Sequence, residues 1–435
     1  MAFLFWRLTT RSQNIFCQLQ SQNKIVGCAD LFPGPGRMKR SLDNEEKYGR
    51  VDGTSSSTLV SRHSHMNGEE QYVYFVTFLG DEKHFASAGS DHAIRMFGNK
   101  SPLLLYQHAN VITCLKYIAS LRSLVSSSLD GTVSIVHFSE DHVIQSKRVI
   151  QSKSRGGLLW FDLDPKREIL AVCTPLVGDE ARIEFFDLSS GKPKAYYSES
   201  HSDDITQCVY HPRDPNMLLS AGVDGLLVLY DSRISDEDDA VNAVINSGSS
   251  VQRAGFFTSP DMIYALSTME TLTLWTMDGE CRHDFGDLRT TLSWANRWKT
   301  DYVIEILPKV VQSTHAAPIS DSFYLCVGNN QGEAAIVKAE QSSEGSVTLQ
   351  LTLPAHNVKT SGDEEHEVEI IRTVSIYDKS DEESPYLRIL TGSESGALTT
   401  WHCSMSNLNA TSSAASARST KKSRVSPLSG APIAN

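Results

Sequence analysis

Between Tyr72 and Trp401 the chain is a succession of short segments in which hydrophobic and polar residues alternate. A period of two residues is typical of β-strands that bury one face, because successive side chains of a strand point to opposite sides. Clusters of Gly, Asp, Ser and Pro separate the segments, and these residues form the tight turns between strands. The pattern therefore predicts an all-β domain.

The clearest unit of this pattern runs from His201 to Asp231. A first alternating run follows the histidine, a His-Pro turn leads to a second run that contains Ser220, and an acidic-glycine turn begins at Asp224. A third run then closes on Tyr230. Strands of this length with these turn residues are typical of one blade of a β-propeller.

Further units are marked by the turn between their second and third strands. Residues 70–403 divided among seven units give about 48 residues each, slightly more than the roughly 40–45 of a typical blade. We assign the excess to insertions, notably 236–247 and 357–369. The sequence therefore predicts a seven-bladed β-propeller, with six or eight blades as the alternatives. The seven marking turns are 87–91, 126–130, 179–180, 220–224, 268–270, 328–332 and 391–395.

The last unit lacks a fourth, outer strand of its own, because the residues after Cys403 show no strand pattern. A propeller can close its ring by borrowing this strand from the other end of the chain, which removes an exposed sheet edge. We expect residues 58–60 to supply it.

Four residues of the clearest unit, His201, Ser220, Asp224 and Tyr230, fall where a hydrogen-bonded tetrad would pin a blade together. Such a set satisfies buried polar groups and fixes a tight turn. A Ser-His-Asp hydrolase triad is the competing interpretation, but the Ser-x-x-x-Asp spacing recurs in other units, and a catalytic set would occur once. Other units keep Ser87, Asp91 and Phe97 (first), His108, Ser126 and Asp130 (second) and His356, Thr391 and Trp401 (seventh), while Met269 and Gln331 replace the Asp in the fifth and sixth.

These units resemble the repeats of the WD-repeat family, whose pattern is G-H…S-x-x-x-D-G-x-x-x-x-W-D. The similarity extends over residues 70–403 and is strongest over 197–231, although no unit keeps a complete Trp-Asp dipeptide. The resemblance implies a cytoplasmic or nuclear interaction scaffold without established chemistry.

A candidate docking motif lies at the end of the same unit. Tyr230, Asp231 and Arg233 resemble the W-D-x-R element by which many WD-repeat proteins dock onto the adaptor of a cullin–RING ubiquitin ligase. A guanidinium suits this role because it makes several directional bonds at once. The alternative is an ordinary salt bridge between Asp231 and Arg233, which would contribute little.

Charge is unevenly distributed along the chain. The first 40 residues carry six Lys or Arg and one acid, and residues 404–435 carry four and none, which leaves 30 basic and 51 acidic residues between them. An acidic body argues against binding of nucleic acid by the propeller. It favours a basic-tailed protein partner, with the acidic segments 236–239 and 363–369 as the candidate surface. Solubility is the alternative explanation.

Several other classes of site receive no support from the sequence. The eight cysteines form no C-x-x-C pair, which is typical of a reducing compartment. His63 and His65 have no further ligands at zinc spacing, and no glycine-rich segment has the Lys-Ser/Thr of a phosphate loop. No apolar run reaches the roughly 18 residues of a membrane span. We therefore predict no cofactor, no metal and no membrane partner.

The predicted domains are a poorly ordered N-terminal extension (1–55), the propeller (56–403) and a disordered, basic, Ser/Ala-rich tail (404–435). The basic start is compatible with a mitochondrial transit peptide or with a true start at Met38.

The leading functional hypothesis is a non-catalytic scaffold for protein–protein interactions, in its most specific form a substrate receptor of a cullin–RING ubiquitin ligase. Two alternatives stay open. One is a propeller hydrolase of the methylesterase type, and the other is a nucleic-acid- or chromatin-associated assembly factor acting through the basic ends.

Overall fold

The structure is a computed structural model, and its described residues form seven four-stranded antiparallel sheets arranged as a ring. This confirms the predicted seven-bladed β-propeller. No helix in the described part of the chain is both long enough and apolar enough to cross a membrane. The structure describes residues 57–64, 72–98, 101–154, 156–258, 261–293, 298–307, 322–340, 347–355, 368–379 and 386–404.

Each blade runs from an inner strand at the central channel to an outer strand at the periphery. From inner to outer, blades one to three are β2 (Val73–Phe78), β3 (Phe85–Gly89), β4 (Ala93–Phe97), β5 (Leu103–Gln107); β6 (Ile112–Ile118), β7 (Ser123–Ser128), β8 (Thr132–Phe138), β9 (Ile144–Gln151); and β10 (Trp160–Asp164), β11 (Ile169–Cys173), β12 (Ile183–Asp187), β13 (Pro193–Tyr197). Blades four and five are β14 (Ile205–Tyr210), β15 (Met217–Gly222), β16 (Leu226–Asp231), β17 (Val241–Asn246); and β18 (Val251–Thr258), β19 (Asp261–Ser267), β20 (Thr271–Thr276), β21 (Cys281–Asp287). Blades six and seven are β22 (Tyr302–Leu307), β23 (Ser322–Gly328), β24 (Ala334–Glu340), β25 (Val347–Leu353); and β26 (Ile371–Lys379), β27 (Tyr386–Ser393), β28 (Ala397–Ser404), β1 (Ser57–Ser64). Two short helices, α1 (Glu237–Ala240) and α2 (Leu288–Thr291), and a 3₁₀ turn at Ala119–Leu121 complete the described elements.

The second strand of each blade is buried on both faces because the neighbouring blades pack against it. In β3, β7 and β15 nearly every residue is buried, and their sequences mix hydrophobic residues with Ser, Ala and Gly. The small side chains let neighbouring sheets approach closely. Because both faces of these strands are buried, their hydrophobic and polar residues alternate only weakly. First strands of neighbouring blades contact one another around a central channel.

All seven predicted marking turns lie where the second strand of a blade passes into the third. The predicted insertion at 236–247 was wrong, because it contains α1 and the outer strand β17 of blade four. This strand is half exposed and buries only Ile245 fully, so its sequence pattern is weak. Residues 357–367 of the other predicted insertion lie outside the described residues.

The ring closes through the N-terminal strand, as predicted. β1 pairs antiparallel with β28 and becomes the outer strand of blade seven. Two side-chain contacts reinforce the pairing: Ser61 Oγ lies 2.7 Å from Thr400 Oγ1, and Arg62 forms an ion pair with the buried Glu369. The predicted N-terminal extension (1–55) lies outside the described residues. Of the predicted tail (404–435), only Ser404 is described, and it is the last residue of β28.

Candidate functional site

The structure brings together His201, Ser220, Asp224 and Tyr230 in blade four. His201 precedes β14, and its Nε2 lies 2.6 Å from Ser220 Oγ, while its Nδ1 lies 3.0 Å from Asp224 Oδ2. Ser220 Oγ also lies 3.2 Å from the hydroxyl of Tyr230. A Cβ at Gly222 would lie 2.8 Å from His201 Nδ1, so glycine in this turn makes room for the imidazole.

Asp224 holds the turn between β15 and β16 as well as the histidine. Its carboxylate accepts hydrogen bonds from the backbone N–H groups of Ser202 and Leu226, both at 3.0 Å. Burial alone would raise the pKa of Asp224, but the hydrogen bond and charge of His201 and these N–H groups outweigh it and lower the pKa. Ionised Asp224 therefore joins the loop before β14 to the turn after β15.

The tetrad offers no access to a substrate. Ser220 is fully buried, and only 5% of His201 is exposed. The serine hydroxyl already contacts both His201 and Tyr230, so it has no open side from which to attack a substrate. The same arrangement recurs in blade two, where His108 contacts Ser126 at 2.8 Å and Asp130 at 3.0 Å. The geometry is that of a repeated structural unit.

Replacing Asp224 by Asn is expected to lower the free energy of unfolding by about 2 kcal/mol, because hydrogen bonds to a charged acceptor contribute roughly 1.5–3 kcal/mol. Urea denaturation of the purified protein measures the change. The control is Asp239→Asn, which alters an exposed acid of the same blade and should leave the midpoint unchanged. Equal midpoints for the two variants would contradict a structural role for Asp224.

In blade seven, sequence reasoning assigned the histidine position to His356, which lies outside the described residues. Among the described residues, Glu369 is buried just before β26 and accepts a hydrogen bond of 2.7 Å from Ser395 Oγ in the following turn. Trp401 Nε1 donates to Thr391 Oγ1 at 3.1 Å. Glu369 thus joins the loop before β26 to the turn between β27 and β28, as His201 joins the corresponding loop and turn of blade four. The sequence signal that could have identified Glu369 is its position two residues before the first strand of the blade.

Blade five contains another residue that sequence reasoning missed. Met269 stands at the Asp position and is 59% exposed, but the next residue, Glu270, is buried with a backbone φ of 60°. Gly225 takes this left-handed conformation in blade four, and non-glycine residues rarely do. The Glu270 carboxylate accepts the N–H of Val303 in blade six at 3.1 Å. Burial raises the pKa of Glu270 to about 7, although Val303 and nearby arginines act in the opposite direction.

The predicted docking motif divides into a buried and an exposed part. Tyr230 has no exposed surface, so it cannot contact a partner; burial also raises its pKa. Asp231 and Arg233 form the salt bridge that was the alternative interpretation, with Nε at 2.9 Å from Oδ1 and Nη2 at 2.5 Å from Oδ2. The Arg233 side chain is nevertheless 63% exposed. Only these two residues of the motif are open to a partner.

The rim loop, residues 231–234, is anchored to the body of the propeller. Arg167 of blade three donates to Ser232 Oγ at 2.8 Å and also to the carbonyl of Pro215. The N–H and hydroxyl of Ser232 both donate to the Asn216 carbonyl, at 2.7 and 2.9 Å. Arg233 is therefore presented from a fixed backbone.

One residue of the acidic segment 236–239, the candidate surface for a basic-tailed partner, is engaged in hydrogen bonds within the blade. Glu237 accepts hydrogen bonds from the backbone N–H groups of Ser198, Glu199 and Ser200 and from the Ser200 hydroxyl. It therefore orders the loop that leads to the tetrad histidine. Its carboxylate is thus engaged within the blade, whereas Asp236, Asp238 and Asp239 are exposed, and these three remain the candidate surface for a basic partner.

The central channel encloses a cavity of about 410 Å³. Two charged pairs cross between blades in its wall: Lys116 Nζ lies 2.8 Å from Asp162, and Arg253 lies 3.1 Å from Glu305. Burial disfavours the charged ammonium, but Asp162 outweighs this effect, and the pKa of Lys116 is raised. Cys114 also lines the channel; burial raises its pKa to about 12, so the thiol is protonated at neutral pH.

Comparison with known proteins places blades two and four in a described repeat family. The family model "WD domain, G-beta repeat" matches residues 100–137 and 191–231. These two segments contain the strands and turns that carry the Ser-x-x-x-Asp spacing of Ser126 to Asp130 and of Ser220 to Asp224.

Relatives with the same repeats are similar over part of the chain. A WD repeat-containing protein 89 homolog of Dictyostelium discoideum is 32% identical over 228 residues, which are 51% of this chain and 60% of the relative. A WD repeat-containing protein of Saccharomyces cerevisiae is 32% identical over 38% of this chain and 42% of its own length. The chain thus spans less than two thirds of these two relatives. A WD repeat-containing protein of Schizosaccharomyces pombe is 31% identical over 51% of this chain and 67% of its own length.

A solved structure shares the fold. The crystal structure of the WD40 β-propeller domain of Doa1 superposes with a TM-score of 0.52 over 80% of this chain and 97% of that domain. Sequence identity over this superposition is 13%, so the likeness concerns the fold alone. Repeat match, relatives and architecture agree: the chain belongs to the WD-repeat family of β-propellers.

Proposed function

We propose that this chain is a non-catalytic protein-interaction scaffold, and that its rim loop docks onto the adaptor of a cullin–RING ubiquitin ligase. WD-repeat propellers are consistent with a scaffold role, and the relatives carry WD-repeat names. The docking role goes further and is supported by the geometry of one residue, Arg233.

Arg233 is exposed and already oriented. Asp231 holds its Nε and Nη2, while Nη1 makes no hydrogen bond to any residue that the structure describes. The bond to Asp231 lowers the pKa of that carboxyl, so the pair stays ionised at neutral pH. A guanidinium that is oriented before binding loses little side-chain entropy when a partner's carbonyl or carboxylate groups approach it.

The alternatives find less support in the described residues. A hydrolase needs an accessible, activated nucleophile, whereas Ser220 is buried and the pKa of Cys114 is raised. The basic ends, on which the nucleic-acid hypothesis depends, lie almost entirely outside the described residues.

We propose a cytoplasmic or nuclear location. The six described cysteines are all free, and five of them are buried, which is typical of a protein in a reducing compartment.

Affinity purification of tagged wild-type protein beside Arg233→Ala tests the docking role. We expect the variant to retain less than about a tenth of the adaptor, because central arginines contribute 2 kcal/mol or more at interfaces. The matched control is Arg213→Ala, since Arg213 is exposed, pairs with Asp261 and lies at the same end of the same blade. Equal adaptor recovery from wild type and Arg233→Ala would exclude this role.

A further inference from the structure

Three potential metal ligands from two blades meet at the rim of the propeller. Asp81 and His84 lie in the connection between β2 and β3 of blade one, and His142 lies in the turn between β8 and β9 of blade two. In an antiparallel blade, the loop between the first and second strands lies at the same end as the loop between the third and fourth strands. The cluster therefore lies at the same end of the ring as the rim loop, which lies in the connection between β16 and β17.

The ligand atoms of the cluster already converge. Asp81 Oδ2 lies 2.7 Å from His84 Nδ1 and 3.6 Å from His142 Nε2, and all three atoms lie within 4.8 Å of one another. The three side chains are 13–35% exposed, so an ion could reach them while most of their surface stays packed.

The backbone holds two of these side chains in place. Asp81 Oδ1 accepts the N–H groups of Lys83 and His84, at 2.8 and 2.6 Å, which leaves Oδ2 facing the imidazoles. His142 has a φ of 57°, a left-handed conformation that is uncommon outside glycine. Strained backbone of this kind is often found at ligand sites.

We propose that Asp81, His84 and His142 bind a zinc ion and leave its fourth coordination position open. Two imidazole nitrogens and one carboxylate form a common zinc ligand set, and bonds of about 2.0–2.1 Å in a tetrahedron separate the ligand atoms by roughly 3.3 Å. The observed separations, from 2.7 Å to at most 4.8 Å, lie on both sides of this value.

Binding requires a defined local change. The two imidazole rings are stacked at 4.1 Å with an interplanar angle of 18°, and a metal must lie near the plane of each ring. One ring therefore rotates about its Cβ–Cγ bond, and His142 Nε2 exchanges its 2.9 Å contact with the Leu79 carbonyl for the metal.

A zinc ion here would link blades one and two. Its open position would face solvent, where a water molecule or a side chain of a docked partner completes the tetrahedron. Sequence reasoning missed the site because its ligands lie on two blades, with 57 residues between His84 and His142 and no characteristic motif.

Titration of the metal-stripped full chain with zinc chloride, followed by calorimetry and by thermal unfolding, tests the proposal. Wild type should bind one ion with a raised unfolding midpoint, and Asp81→Asn and His142→Asn should each weaken binding at least tenfold. Asn is chosen at 142 because it tolerates positive φ, so the midpoint without metal reports whether the variant is folded. The double variant Cys281→Ser/His283→Gln, which removes another neighbouring pair of potential ligands, should bind as wild type does.

Two results would overturn the site. One is the absence of saturable zinc binding by wild type. The other is unchanged affinity in both Asp81→Asn and His142→Asn, which would locate any bound zinc elsewhere in the chain. Neither result depends on the adaptor experiment, so the two proposals can fail separately.

Discussion

Deleting residues 1–64 is expected to destabilise the propeller by roughly 3–5 kcal/mol, whereas deleting residues 1–56 should leave its stability nearly unchanged. The first deletion removes β1, whose residues from Ser57 to Ser64 pair with β28. Several backbone hydrogen bonds are then lost at a net value of roughly 1 kcal/mol each. The Arg62–Glu369 ion pair is also lost, which leaves a buried carboxylate without this partner.

Urea denaturation of the two truncated proteins beside the full chain measures this difference. The shorter deletion is the matched control, since it ends directly before β1. The protein that lacks β1 should also self-associate, because the uncovered edge of β28 can pair with another chain. Equal denaturation midpoints for both deletions would show that the ring does not depend on the N-terminal strand.

Replacing Glu270 by Gln is expected to stabilise the protein by roughly 3 kcal/mol at about pH 8 and by little at about pH 4. The pKa of Glu270 rises from 4.5 to about 7 on folding, mainly because the carboxyl is buried. The folded state therefore binds a proton more tightly than the unfolded state, and stability falls as the pH rises between these values. At about 1.4 kcal/mol per pKa unit the loss is roughly 3 kcal/mol. Gln remains neutral and can still accept the N–H of Val303.

Denaturation midpoints measured across the pH range test this linkage. The wild-type midpoint should fall relative to that of Glu270→Gln as the pH rises from about 4.5 to 7. Glu280→Gln changes an exposed acid of the same blade and is the control, with the wild-type pH dependence. If the midpoints of wild type and Glu270→Gln differ by the same amount at every pH, folding does not raise the pKa of Glu270.

Local signals predicted the regular parts of the molecule well. The turns of all seven blades and the grouping of His201, Ser220 and Asp224 follow from turn residues and alternation within about 30 residues. The closing strand follows from a different signal, the missing outer strand of the last unit. The outer strand β17 was missed because a half-exposed strand of mixed polarity resembles a loop in sequence. In blade five, which lacks the turn Asp, no local sequence signal indicated that Glu270 would be buried beside an exposed Met269.

The sequence alone determined the propeller class and the positions of the blade turns, because most blades repeat the same turn chemistry and hydrophobic pattern. It favoured seven blades over six or eight, and the seven sheets of the structure fix that number. Only the tertiary structure decided which polar groups meet across blades. It buried Tyr230 while it left Arg233 exposed, and it brought Asp81 and His84 against His142. These outcomes depend on how neighbouring sheets pack, and packing between sheets imposes no fixed spacing along the chain.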